Sequence, residues 1–148
     1  MTKRILLSLI VGVLFVYTSN AQDIVPDNRI IEAFGQEKTN QLLQDDPNQI
    51  IYYNFYLENA YFISQPKEKA VSNAIDIFTV AYLNNNSRYF DEDISKLCKE
   101  NFNPLKYNFE RDFHGYTHYK LGETGKYIVF KPVSVFNREL EAYKNQNN

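Results

Sequence analysis

The chain has one cysteine, no tryptophan, two histidines and only five glycines in 148 residues. A lone thiol at Cys98 closes no intramolecular disulfide, so stability has to come from an apolar core. Scarce glycine argues against long loops that wrap a ligand. The one echo of a phosphate loop, Gly122-Glu123-Thr124-Gly125-Lys126, fails at both ends: position 120 is Lys where the motif needs Gly, and position 127 is Tyr where it needs Ser or Thr. No serine sits in a G-x-S-x-G elbow. The missing tryptophan weakens the case for a sugar-stacking platform. Basic residues neither cluster nor dominate: 16 Lys and Arg face 18 Asp and Glu. Nucleic-acid binding therefore lacks its electrostatic footprint, and docking on an anionic membrane surface is disfavoured. No motif for a cofactor is present.

Long apolar runs are also missing, except at the start. Lys3 and Arg4 precede thirteen almost uninterrupted apolar residues, Ile5 to Tyr17, and Ser19 and Ala21 supply the small side chains a signal peptidase selects. Residues 1–21 are expected to be a secretory signal peptide. The run is short of the roughly 20 residues that span a bilayer; an uncleaved anchor is the competing reading. The signal holds two of the basic residues and none of the acidic ones, leaving 14 basic against 18 acidic from Gln22 onward. Residues 22–148 are then one compact domain, periplasmic or secreted, with no stable membrane insertion after cleavage.

What the sequence has in quantity is Tyr and Phe, 12 and 11. Six of them fall in Ile50-Ile-Tyr-Tyr-Asn-Phe-Tyr-Leu-Glu-Asn-Ala-Tyr-Phe-Ile63. Asp46-Pro47 reads as a helix start, with the Asp as N-cap and Pro at the first position. At helical spacing Ile50, Tyr53 and Leu57 share a face with Tyr56 on its shoulder, while Ile51 and Phe55 form a second stripe beyond Asn54 and Glu58. A helix apolar on two sides is central and buried, and the Ile51 and Phe55 stripe is expected to pack on the domain's own sheet, a partner groove being the alternative. It is expected to stop near Asn59 and give way to a strand, Ala60 to Ser64; a helix continuing to Ile63 is the alternative.

Upstream, residues 22–26 read as an extended lead-in. Asp27 caps a helix over Asn28 to Phe34, Gly35 ends it, and a second helix covers Gln36 to Gln44, anchored by Leu42 and Leu43. Downstream, residues 67–83 carry both helical and alternating patterns; a strand over Ile75 to Leu83 is preferred for its β-branched and aromatic content. Asn84 to Ser87 reads as a loop, and Asp91 to Lys99 as a helix with Ile94, Leu97 and a buried Cys98 towards the core. Tyr116 to Leu121 and Lys126 to Lys131 form a hairpin about a four-residue loop. Tyr107 to Phe109 is a candidate third strand. Val135 to Lys144 is a closing helix with Phe136, Leu140 and Tyr143 on one face, before a frayed tail from Asn145. The expected fold is α+β: N-terminal helices on a small, mainly antiparallel sheet with a C-terminal hairpin and closing helix.

Chemistry-bearing patterns are thin. His114 and His118 have H-x₃-H spacing, but on a strand they lie about 13 Å apart, and the further ligands of a zinc site are missing. No metal is expected. Carboxylate neighbours (Asp45 and Asp46, Asp91 and Asp93, Glu110 and Asp112) read as caps and turns. A nucleophilic Cys98 would need a nearby base. No catalytic residue is assigned. The leading expectation is a non-enzymatic interaction domain or accessory subunit of the bacterial cell envelope, holding an envelope protein through Ile51, Tyr52 and Phe55. A second is a small-ligand or glycan-binding module whose Tyr53, Tyr56, Tyr116 and Tyr119 surround one cavity. A third is an enzyme using His114 or His118 with Asp112 as its orienting carboxylate.

Overall fold

The structure, a computed structural model, describes residues 24–65 and 71–146. The expected signal peptide and its cleavage site lie outside the described residues. The remainder is an α+β chain in which helices precede a small mixed sheet and a final helix closes the C-terminus.

Three helices follow one another with almost no linker: α1 (Asn28–Phe34), α2 (Gln36–Asp45) and α3 (Pro47–Asn59). The Asp27 carboxylate accepts from the Arg29 N–H at 2.8 Å and starts α1. Gly35, at φ 85°, ends it in a conformation that suits only glycine. Pro47 opens α3, but the Asp46 side chain makes no capping hydrogen bond, a departure from the expected N-cap. The polar break in α3 has a use. Asn54 accepts from the Asp27 N–H and donates to the Val25 carbonyl, which ties the lead-in to the middle of the helix.

Both stripes of α3 are covered. Ile50 and Leu57 are fully buried against Ile30 and Leu105, with Phe34, Leu42, Leu43, Tyr53 and Tyr56 around them. The second stripe meets α4 (Val133–Gln146) and not the sheet expected to cover it. The Phe55 ring lies 5.5 Å from Phe136 and 5.0 Å from Tyr143, and Tyr52 stands edge-on to Phe136. α4 begins two residues before the expected Val135 and runs through Asn145 to Gln146, where a frayed tail was expected.

α3 ends at Asn59 and β1 (Tyr61–Ser64) begins, so the helix does not continue to Ile63. With β2 (Ile75–Asp76), β5 (Thr117–Lys120) and β6 (Tyr127–Phe130) it builds a four-stranded sheet in the order β1-β6-β5-β2. β1 and β5 flank β6 antiparallel, and β2 joins β5 in parallel. The register aligns Tyr61 with Phe130 and Tyr119 with Ile128 on one face. That face packs on Phe102, Phe136 and Leu140 in the main core. The hairpin loop is as expected, with Gly122 and Gly125 both at positive φ.

Four expectations are corrected. The strand over Ile75 to Leu83 is broken by a 3₁₀ turn at Ile77–Thr79, because Asp76 accepts from the Phe78 N–H and its carbonyl takes the Thr79 hydroxyl. The chain resumes as β3 (Ala81–Tyr82), which turns at Leu83 and Asn84 into β4 (Asn85–Tyr89). The expected loop at Asn84 to Ser87 is thus mostly strand. Every β4 residue is exposed, so no alternation of apolar residues marks it. Asp91 to Lys99 is not helical. Asp93 captures the Ser95 amide and hydroxyl, and Asn101 bonds the Cys98 N–H and the Lys96 carbonyl; side chains there take the backbone groups a helix would use. Leu97 still reaches the core, but Cys98 is exposed. Finally, Tyr107 to Phe109 contributes a single bridge, Tyr82 to Tyr107, and not a third strand.

Candidate ligand site

α1 and α3 pack so that Phe34 and Tyr53 meet at 5.0 Å between ring centroids. Tyr52 stands edge-on to Tyr53 and stacks at 6.1 Å on Tyr56. These rings line one side of a cavity of about 270 Å³. Its other wall is a 3₁₀ turn, Pro104–Lys106, followed by Tyr107. Asn103 fixes that wall. Buried to 1 % exposure, it accepts from the Leu105 N–H and donates to the Arg29 carbonyl at 2.7 Å. Leu83 in the β3–β4 turn also borders the cavity, and so does Arg111. The volume falls just below the roughly 300–1,000 Å³ of small-molecule sites, so it suits one ring and its substituent.

The polar groups here differ in how far they are committed. The Tyr107 hydroxyl donates to Glu92 at 2.6 Å. Burial, then that carboxylate, raises its pKa. The hydroxyls of Tyr52, Tyr53 and Tyr56 bond to no described residue. Burial raises the pKa of Tyr52 and Tyr56, while the Arg111 charge pulls both back. Both phenols stay protonated at neutral pH and remain donors. Arg111 Nη2 donates to the Lys131 carbonyl at 3.0 Å, and the guanidinium carbon sits 4.8 Å from the Phe136 ring and 5.5 Å from Tyr56. Its Nε is buried with no acceptor.

Two other cavities are more polar. One of about 440 Å³ is bordered by Glu32, Arg88 and Lys106, whose charges are already paired: Arg88 with Asp91, and Lys106 with Glu32. The other, about 420 Å³, lies between Asp46 and Lys144 beside the start of α3.

The sequence-derived candidates are dispersed. Tyr53 and Tyr56 do share the aromatic cavity, and Tyr52, expected on a partner surface, joins them. Phe55 is turned into the α4 contact, and Ile51 is half-buried. Tyr119 is 1 % exposed, with its hydroxyl on the Glu110 carbonyl. Tyr116 is 53 % exposed and edge-on to Phe62 on the opposite face of the sheet. Three residues apart along an extended chain, Tyr116 and Tyr119 point to opposite faces, so the four tyrosines do not surround one cavity. The histidine constellation is likewise not assembled. Asp112 Oδ1 accepts from the backbone N–H groups of His114 and Gly115, which lower its pKa, and so it holds a turn. His114 stands edge-on to Phe113, and His118 faces Tyr127. Among the described residues neither imidazole hydrogen-bonds a carboxylate, and neither borders the cavities above.

Among the described residues no three His, Cys, Asp or Glu side chains gather as a metal site, and no helix is long and apolar enough to cross a membrane. Arg111 was not legible as a site residue. Between Glu110 and Asp112 in the sequence it reads as a neutralised surface charge, yet Asp112 is spent on its turn and Glu110 makes no ion pair with Arg111. Comparison with known proteins returns no match: no family model fits the chain, and no curated protein and no solved structure is similar to it.

Proposed function

We propose that the protein is an exported, non-enzymatic binding domain that holds a small aromatic molecule in the cavity between α1, α3 and the Pro104–Lys106 turn. The observation that carries this reading is the set of three tyrosines on the wall of one ring-lined cavity whose hydroxyls have no hydrogen-bond partner among the described residues. Rings on the wall stack on a flat ligand, and free phenols bond its polar edge. Amide NMR of the exported protein, titrated with single-ring neutral and anionic compounds, tests it. Saturable shifts centred on Tyr53, Tyr56 and Leu105, with a Kd of about 1 mM or tighter and lost in Tyr53→Ala, are expected. Shifts that do not saturate, or that map elsewhere, would sink the reading.

A second reading, an accessory subunit binding an envelope protein, is favoured by a different observation. Phe62 and Tyr116 pair on the outer sheet face at 40 % and 53 % exposure. Exposed neighbouring aromatics are a common feature of interaction surfaces. The second reading places contact there and not at Ile51 and Phe55. A partner retained by the wild type but lost on Tyr116→Ser, with cavity binding intact, would favour it. Export rests on the N-terminal pattern and is checked by N-terminal sequencing of protein recovered outside the cytoplasm: Gln22 is the expected first residue, and a chain retaining Met1 contradicts it.

A further inference from the structure

We propose that the ligand of this cavity is an anion, specifically a small aromatic carboxylate, held by Arg111; this rests on the ligand-site reading above. Among the described residues Arg111 is the one charged residue bordering the cavity, and no acidic side chain borders it. The one buried arginine among the described residues, Arg29, has carboxylate partners in Asp27 and Glu58, and the exposed Arg88 has Asp91. Arg111 has none among the described residues. A guanidinium is always charged at physiological pH. Arg111 is half-buried, its Nε is covered without an acceptor, and the neighbouring Tyr56 and Phe136 rings meet the charge only through their faces.

The geometry leaves a place for the missing charge. The Nη2 bond to the Lys131 carbonyl and the two rings fix the guanidinium plane. Nη1 bonds to no described residue. An incoming carboxylate on this end gains a charge-assisted bond that is shorter and about twice as strong as a neutral one. The protonated hydroxyls of Tyr52 and Tyr56 carry no negative charge and can each donate to an incoming carboxylate. The α1 and α3 rings take the apolar body. The cavity volume limits that body to about one ring. The other two cavities lack this combination, because the cations beside them are already paired.

Benzoate and benzamide separate charge from shape, since they share ring and carbonyl and differ in charge. Both are titrated calorimetrically into the exported protein, into Arg111→Gln and into Arg111→Lys, each checked for folding by circular dichroism. The wild type is expected to prefer benzoate by about tenfold or more. Arg111→Gln should weaken benzoate more than benzamide and so remove most of the preference between them, while Arg111→Lys keeps part of it. Equal affinities in the wild type overturn the anion assignment and leave the ligand site standing. Binding of neither compound overturns both. If Arg111→Gln does not fold, the wild-type ratio and Arg111→Lys still decide the matter.

Discussion

Replacing Phe136 by alanine should destabilise the protein by about 3–5 kcal/mol, the usual loss for a fully buried aromatic. Phe136 is 1 % exposed and is the ring on which helix packing converges. It projects from α4 into Tyr52, Phe55 and Tyr56 of α3, two of them in edge-to-face geometry, and it lies under the Arg111 guanidinium. Its removal leaves a void among residues that are tied to helices and cannot close it fully. The same substitution frees Arg111 and Tyr56, so ligand affinity should fall along with stability. Urea denaturation of wild type and variant measures the first effect. A loss below about 1 kcal/mol would mean that α4 does not dock on α3 through this ring.

Arg29→Met should cost about 1–3 kcal/mol, because it leaves the Tyr61 hydroxyl and the Phe102 carbonyl without their guanidinium donor, while Asp27 and Glu58, whose side chains are 28 % and 61 % exposed, regain water. Arg29 is 9 % exposed. Its side chain bonds both Asp27 oxygens, Glu58, the Tyr61 hydroxyl and the carbonyls of Lys99 and Phe102. One guanidinium thus joins α1 to α3, to the first strand and to the loop that forms the cavity wall. The network also predicts a pH dependence. The bond from Arg29 holds the Asp27 carboxyl below its ordinary pKa of 3.8. A carboxyl depressed in the folded state stabilises the fold at pH above its unfolded value, and that contribution is lost as pH falls through the lowered folded value. Wild-type stability should therefore be insensitive to this pair near neutrality and decline below pH 3.8. In Arg29→Met the Asp27 share of that decline should be reduced. Denaturation curves across the acid range would contradict this if both proteins lost stability equally.

The helices and the hairpin were legible in the sequence for local reasons. Asp27, Gly35 and Pro47 each impose a backbone choice on their own neighbours, and the glycines of the hairpin loop do the same. What was not legible depends on partners distant in sequence. β4 is a strand because β3 offers it hydrogen bonds, though none of its side chains is buried. Asp91 to Lys99 has helical composition, but Asp93 and Asn101 satisfy its backbone without a helix. The second stripe of α3 was readable as apolar, and its cover was not: Phe55 could have faced the sheet, a partner or another helix, and α4 resolves it. The candidate site divides in the same way. Tyr53 and Tyr56 carried a signal because they share a helix face. Arg111 carried none, because its lack of an ion pair with any described carboxylate is a property of three-dimensional packing, and in sequence it sits between two acids.

The most direct measurement is a crystal structure of the exported protein grown with benzoate at saturating concentration. The predicted result is a ring seated against Tyr53 and Tyr56 with its carboxylate within hydrogen-bond distance of Arg111. A cavity that stays free of benzoate, with Arg111 paired to an acidic side chain of the protein itself, would contradict it.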